Sequence, residues 1–184
     1  MNVASSWPCW RTARRAALLS LFLLCACETG QPVRAPEADI KSLRAAIEGV
    51  YVLDELHTDT GVFRPPKVEG RFVLLNDTVV FSFLNRVAEG RAITVIGHGT
   101  YVLAPAQFSY GYDSMTAFTQ TDANTSVSNT LPWEGKHVFA ARREGDSVAL
   151  RSATEEEILI GKESLRYSLK GKLLRVWRRV PSAQ

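Results

Sequence analysis

Glu55 and His57 stand two residues apart in the stretch Gly49–Thr58, GVYVLDELHT. In an extended strand that spacing turns both side chains to one face, shared with Tyr51 and Leu53. A carboxylate beside an imidazole can work as a general acid–base pair at the mouth of a cavity. The same two residues read more simply as polar groups at the end of an exposed strand face, since nothing nearby completes a catalytic set. The three histidines are His57, His98 and His137, and no two fall at a spacing that marks a metal site. A Gly-x-Ser-x-Gly elbow and a phosphate-cradling loop are both absent from the sequence. Catalytic residues, a metal and a cofactor are therefore not expected.

A second set of residues suits binding better than bond-breaking. Along Gln107–Ser114 the residues Phe108, Tyr110 and Tyr112 share one face, and Gln107, Ser109, Gly111 and Asp113 share the other. Ligand sites combine apolar walls with a few polar handles, and phenols supply both. Tyr51, Tyr101, Phe108, Tyr110, Tyr112 and Trp133 are the candidates for lining such a site; the plainer alternative is an aromatic core face. Trp133 follows a polar stretch and Pro132, where it could cover an open end or pack that stretch back onto a sheet. Trp177 lies between Arg175 and Arg179, which reads as a cation–π ladder on an outer wall. The acidic run Glu155, Glu156 and Glu157 reads as solvated surface.

The first residues concern address, not fold. Arg11, Arg14 and Arg15 precede the apolar run Ala16–Cys25, a basic segment followed by a short greasy one, as in a secretory signal. The run is shorter than the roughly 20 apolar residues that a spanning helix requires. Leu24-Cys25-Ala26-Cys27 resembles the lipobox of bacterial lipoprotein precursors, which implies lipidation of Cys27 after removal of residues 1–26. The alternative is plain cleavage near Ala26. Removing residues 1–26 takes away three arginines and no acid, and so leaves 19 basic against 19 acidic residues. A chain so balanced lacks the basic surplus that a nucleic-acid partner would want. Cys9 and Cys25 leave with the signal, so no disulfide is available and burial must hold the domain together.

The elements that must carry these residues are almost all strands. Residues 27–36 form a polar, proline-bearing tether. Ile40, Leu43 and Ile47 at helical spacing, with Gly49 beyond them, predict one short helix over Glu37–Glu48. From Gly49 the apolar period becomes two. Strands are expected at Gly49–Thr58, Arg71–Leu75, Thr78–Arg86, Thr94–Leu103, Gln107–Ser114, His137–Arg143 and Ser147–Ser152. Gly97 and Gly99 inside a strand mark a bend, a bulge or a close backbone approach. Thr119–Pro132, rich in Ser, Thr and Asn, reads as a long loop. The stretch Ser164–Val180, SLRYSLKGKLLRVWRRV, predicts a hairpin turning at Gly171. Its first arm offers Leu165, Tyr167 and Leu169 to the core. Its second offers Leu174, Val176 and Val180, with Arg175, Trp177 and Arg179 opposite. About eight to ten strands in short succession, with no βαβ spacing, predict an all-β fold. It is expected to be a closed antiparallel up-and-down β-barrel over residues 37–184, preceded by the one helix; a two-sheet sandwich is the competing arrangement.

Gly49-Val50-Tyr51 opening the first strand, Gly99-Thr100-Tyr101 in mid-chain and the terminal Val176-Trp177-Arg178-Arg179-Val180 resemble the bacterial lipocalin-like domains. Lipocalin carriers open with Gly-x-Trp and close with an Arg packed over that Trp. Here Tyr51 takes the place of the Trp, and Arg178 or Arg175 that of the Arg. The resemblance implies a calyx for a ligand, or a related barrel with a filled interior, and no catalytic residues. The expected function is an exported bacterial envelope protein, lipid-anchored on the extracytoplasmic side, that binds a small apolar or amphipathic molecule. Two alternatives differ in kind. One is a structural or interaction lipoprotein with a solid barrel. The other is an isomerase or hydrolase, which would need ionisable side chains meeting inside the barrel.

Overall fold

The computed structural model describes residues 36–130 and 133–181. Helix α1 (Pro36–Ile47) comes first. Twelve strands follow: β1 (Gly49–Thr58), β2 (Gly61–Phe63), β3 (Val68–Leu75), β4 (Thr78–Asn85), β5 (Arg91–Ala104), β6 (Gln107–Thr121), β7 (Thr125–Thr130), β8 (Trp133–Glu144), β9 (Ser147–Ser152), β10 (Glu156–Ile160), β11 (Ser164–Leu169) and β12 (Lys172–Arg179). Every pairing is antiparallel, and β12 pairs with β1, so ten strands close an up-and-down barrel. Short β2 and β7 lie outside the ring, on β1 and β6. Closure leaves the ring without the open edges that an all-antiparallel sheet otherwise exposes.

Local chemistry explains the turns. Asn76 and Asp77, between β3 and β4, both take positive φ (50° and 62°), and so do Lys170 and Gly171 between β11 and β12 (50° and 72°). Two positive φ values in a two-residue loop give the twist that matches the flanking strands. The long loop expected over Thr119–Pro132 is instead strand to a large extent. β6 runs on to Thr121, and β7 folds back on it with Phe118 opposite Val127. Solvent wets both faces of this flap, so its residues lack the polar–apolar alternation that betrays a half-buried strand, while its threonines still favour extended backbone. The strand β10 lies partly in the acidic run and was hidden by it.

The core divides into two halves along the barrel axis. At one end α1 inserts Leu43 and Ile47, and these pack in one buried cluster with Tyr51, Leu74, Tyr101, Phe108 and Leu150. Polar contacts tie the helix in. Tyr51 Oη donates to the Ile47 carbonyl at 2.6 Å, and Tyr101 Oη donates to Glu48 at 2.5 Å. Arg179 donates to the Ala46 carbonyl and to Tyr51 Oη. Its guanidinium lies 5.1 Å from the Tyr51 ring centre, so Arg179 is the residue that closes over the aromatic of the first strand. At the other end no helix among the described residues covers the strands.

Three of the four register shifts in the ring decide which side chains face in. Between β11 and β12 the pairs Leu169↔Lys172 and Ser168↔Leu173 are followed by Tyr167↔Arg175 and Leu165↔Trp177, leaving Leu174 extra. Without it Tyr167 would face Leu174 and Leu165 would face Val176, as simple alternation predicts. A one-residue slip sends a strand's whole set to the other face. The expectation that Arg175, Trp177 and Arg179 form an outer ladder is therefore overturned: they point inwards, and Trp177 is only 3% exposed. Between β1 and β12 the extra residue is Asp54, which places Leu56 inside, opposite Arg175, and turns Glu55 out. Glu55 and His57 thus do not share a face with Tyr51 and Leu53. Between β5 and β6 it is Asp113, which brings Met115 rather than Ser114 against Gly97. A Cβ on Gly99 would lie 2.0 Å from the Gly111 carbonyl oxygen, so only glycine admits this close approach.

Candidate functional site

The uncovered half of the barrel holds a half-open cavity of about 430 Å3. Small-molecule sites commonly occupy about 300–1,000 Å3. Its apolar wall is built by Phe72, Phe81, Phe83, Val95, Met115, Ile158 and Leu165, and Trp177 lies between Phe72 and Phe81 with ring centres 6.3 and 6.2 Å away. Trp177 also lies against Gly70, where a Cβ would come within 3.3 Å of its ring. Below it the interior is solid.

The polar residues of the cavity come from five strands on one side of the ring. β6 supplies Tyr110 and Tyr112, β8 His137, β10 Glu156, β11 Tyr167 and β12 Arg175. The His137 ring stacks on Tyr110 at 4.9 Å, 7° from parallel. Its Nδ1 lies 3.5 Å from Glu156 Oε2, and Tyr167 Oη donates to Glu156 Oε1 at 2.9 Å. Thr154 Oγ1 donates to the other oxygen of Glu156 at 3.2 Å. Burial pushes the phenols of Tyr110 and Tyr112 well above the ordinary tyrosine value. Burial, with help from the Glu156 carboxylate, raises Tyr167 to about 12. All three are neutral hydroxyls at physiological pH.

Arg175 differs from its neighbours. Its guanidinium lies 5.4 Å from the Phe83 ring centre, 5.5 Å from Tyr167 and 6.0 Å from Phe81. It forms no salt bridge among the described residues, and its Nε is buried without a hydrogen-bond partner. Desolvation pulls its pKa below the ordinary arginine value, opposed by the nearby phenols. Arg179, four residues on, also buries its Nε without a partner, but its Nη2 donates to the Ala46 carbonyl and to Tyr51 Oη. Arg175 has ring faces instead.

The sequence-derived candidates separate into two groups. Tyr110 and Tyr112 line the cavity. Tyr51, Tyr101 and Phe108 face inwards but are fully buried in the helix-plugged half and do not reach it. The backbone of Trp133 pairs with Tyr112, while its side chain lies outside the described residues, as do Cys27, the tether through Ala35 and the whole of residues 1–26. Glu55 and His57 lie on the outer wall, where His57 Nε2 and Glu55 Oε2 are 2.8 Å apart and Arg64 donates to the other oxygen. His57 and Arg64 hold the Glu55 carboxyl below the usual carboxylate range. His98 is exposed, 3.1 Å from Ser114 Oγ. The reading of Glu155–Glu157 as surface holds for Glu155 but not for Glu156, which faces the cavity because β10 alternates Glu156, Ile158 and Ile160 inwards. Ionisable side chains do meet inside the barrel, a point that the sequence left open.

Among the described residues no group of three His, Cys, Asp or Glu side chains could hold a metal, and no helix is long and apolar enough to cross a membrane. The chain matches no protein-family model, no curated protein and no solved structure. The closed barrel is compatible with the lipocalin-like fold.

Proposed function

We propose that this protein is a binding module that holds one small amphipathic molecule in the open half of its barrel. The observation that carries this is the 430 Å3 cavity, apolar for most of its wall, with a cluster of polar side chains on one side. Apolar surface withdrawn from water contributes roughly 25 cal/mol per Å2, less the cost of association. A preformed cavity keeps that cost low, because the wall is already ordered by closure of the sheet. The helix-plugged half supplies rigidity and takes no part in binding.

The basic segment, the apolar run and the Leu24-Cys25-Ala26-Cys27 sequence support an exported protein, held to the extracytoplasmic face of a bacterial membrane by a lipid on Cys27. The mass of the mature N-terminus tests this; an unmodified Cys27 removes the anchor.

Titration with a neutral, environment-sensitive fluorophore such as N-phenyl-1-naphthylamine tests the cavity. The expected result is saturable one-to-one binding that Val95→Trp abolishes, since a larger side chain there fills the space. Weak, unsaturable fluorescence, or enhancement untouched by V95W, overturns the reading.

His137, Glu156 and Tyr167, in contact at the cavity wall, favour a second reading: an isomerase or hydrolase working inside the barrel. Ligand recovered with a changed mass or a shifted double bond, and unchanged after Glu156→Gln, would support it.

A further inference from the structure

The cavity wall holds a guanidinium, that of Arg175, with no salt-bridge partner among the described residues. Burying a guanidinium is unfavourable unless it is paired or hydrogen-bonded, and cation–π contacts offset only part of the loss. Among the described residues Glu156 is the only carboxylate in the wall, and it already accepts hydrogen bonds from Tyr167 and Thr154, with His137 alongside. The guanidinium of Arg175 instead lies over Phe81, Phe83 and Tyr167. Tyr110 and Tyr112 add neutral hydroxyls to the same cavity.

The geometry points to an amphipathic organic acid as the occupant. Its single negative head meets the Arg175 guanidinium, and its hydrocarbon body lies along Phe72, Phe81, Val95 and Trp177. This rests on the binding-module reading and goes further by fixing the charge of the ligand. A carboxylate suits the site because a guanidinium presents paired N–H groups that match two carboxylate oxygens. A cationic head is excluded by Arg175. A dianion is disfavoured by Glu156, which places a second negative charge at the same cavity.

Three amphiphiles with the same tail separate head from body at pH 8: dodecanoate and dodecyltrimethylammonium, each below its micelle concentration, and dodecanol below its solubility limit. Each competes with N-phenyl-1-naphthylamine on the full mature chain. Dodecanoate is expected to displace the fluorophore at a concentration roughly tenfold below dodecanol, with the cation weakest. Arg175→Met is expected to bring acid and alcohol within about twofold while fluorophore binding persists, which also shows that the variant is folded. Arg175→Lys, which keeps the charge but loses the paired donors, should retain part of the preference. Dodecanol competing as well as dodecanoate in the native protein overturns the anionic head and leaves the cavity reading standing. An acid preference that survives R175M overturns it too. Absence of competition by all three, with no saturable fluorophore binding, overturns both.

Discussion

At the scale of the residue, Arg175 is maintained against the interest of the empty fold. Replacing a buried, unpaired ion with an apolar side chain of similar length is often neutral or stabilising. Arg175→Met is therefore expected to stabilise the ligand-free barrel by about 1–2 kcal/mol, raising the melting temperature by a few degrees. A melting temperature that falls would show that the ring contacts of the guanidinium outweigh its desolvation. Gly99 makes the opposite kind of prediction. A methyl group there would meet the Gly111 carbonyl and the Tyr112 and Asp113 backbone, none of which can rotate away. Gly99→Ala should cost more than about 2 kcal/mol, read by thermal unfolding, and an unchanged melting curve would show that the β5–β6 bulge relaxes.

At the scale of the element, the bulges divide what the sequence shows from what it hides. Alternation along β4 and β11, along β1 as far as Leu53 and along β6 as far as Tyr112 is legible from single residues, and so are the Asn76-Asp77 and Gly171 turns. An extra residue in a ladder leaves no mark on composition or period. Leu174 lies in the run Leu173-Leu174, where either leucine could serve as the inward one, and its outcome depends on pairing with two other strands. The sequence therefore assigned Trp177 to the wrong face, although its size alone favours burial. Deletions test this. Removing Leu174 should restore a plain ladder and leave Arg175, Trp177 and Arg179 inside, with cooperative unfolding retained. Removing Val176 should turn Trp177 and Arg179 outwards and abolish the cooperative transition. Equal behaviour of the two deletions would refute the bulge as the element that sets the face.

The tie between α1 and the barrel has its own pH dependence. Burial alone would raise the Glu48 carboxyl above the usual carboxylate range. Donation from Tyr101, Arg44 and the Asn76 amide more than offsets this and holds it below. A carboxyl depressed in the folded state adds stability that is fully present above its unfolded value and lost as pH falls through the folded one. Stability should thus decline as pH drops below about 4.5, and Glu48→Gln should be less stable at pH 7 with a shallower acid decline. Parallel acid curves for the two proteins, measured by denaturant unfolding, would remove Glu48 from the account.

At the scale of the whole molecule, ten strands close a ring whose two halves are filled differently. One half is solid and plugged by α1; the other is hollow and open. The closed barrel and its single leading helix were legible because the run of short antiparallel strands admits few other arrangements. The place of the hollow was not, since Tyr51, Tyr101 and Phe108 look on paper as suited to lining it as Tyr110 and Tyr112. Depth along the axis depends on where the helix stops, and that is a property of packing. Trp177 marks the boundary between the halves, supported from behind by Gly70. On the proposed reading this one indole would measure the guest: a molecule with its acid group held at Arg175 would meet the tryptophan at the floor of the cavity. Trp177→Leu should shift the preferred fatty acid to a longer homologue without altering the choice of acid over alcohol, so that length and charge are selected by neighbours two positions apart on a single strand.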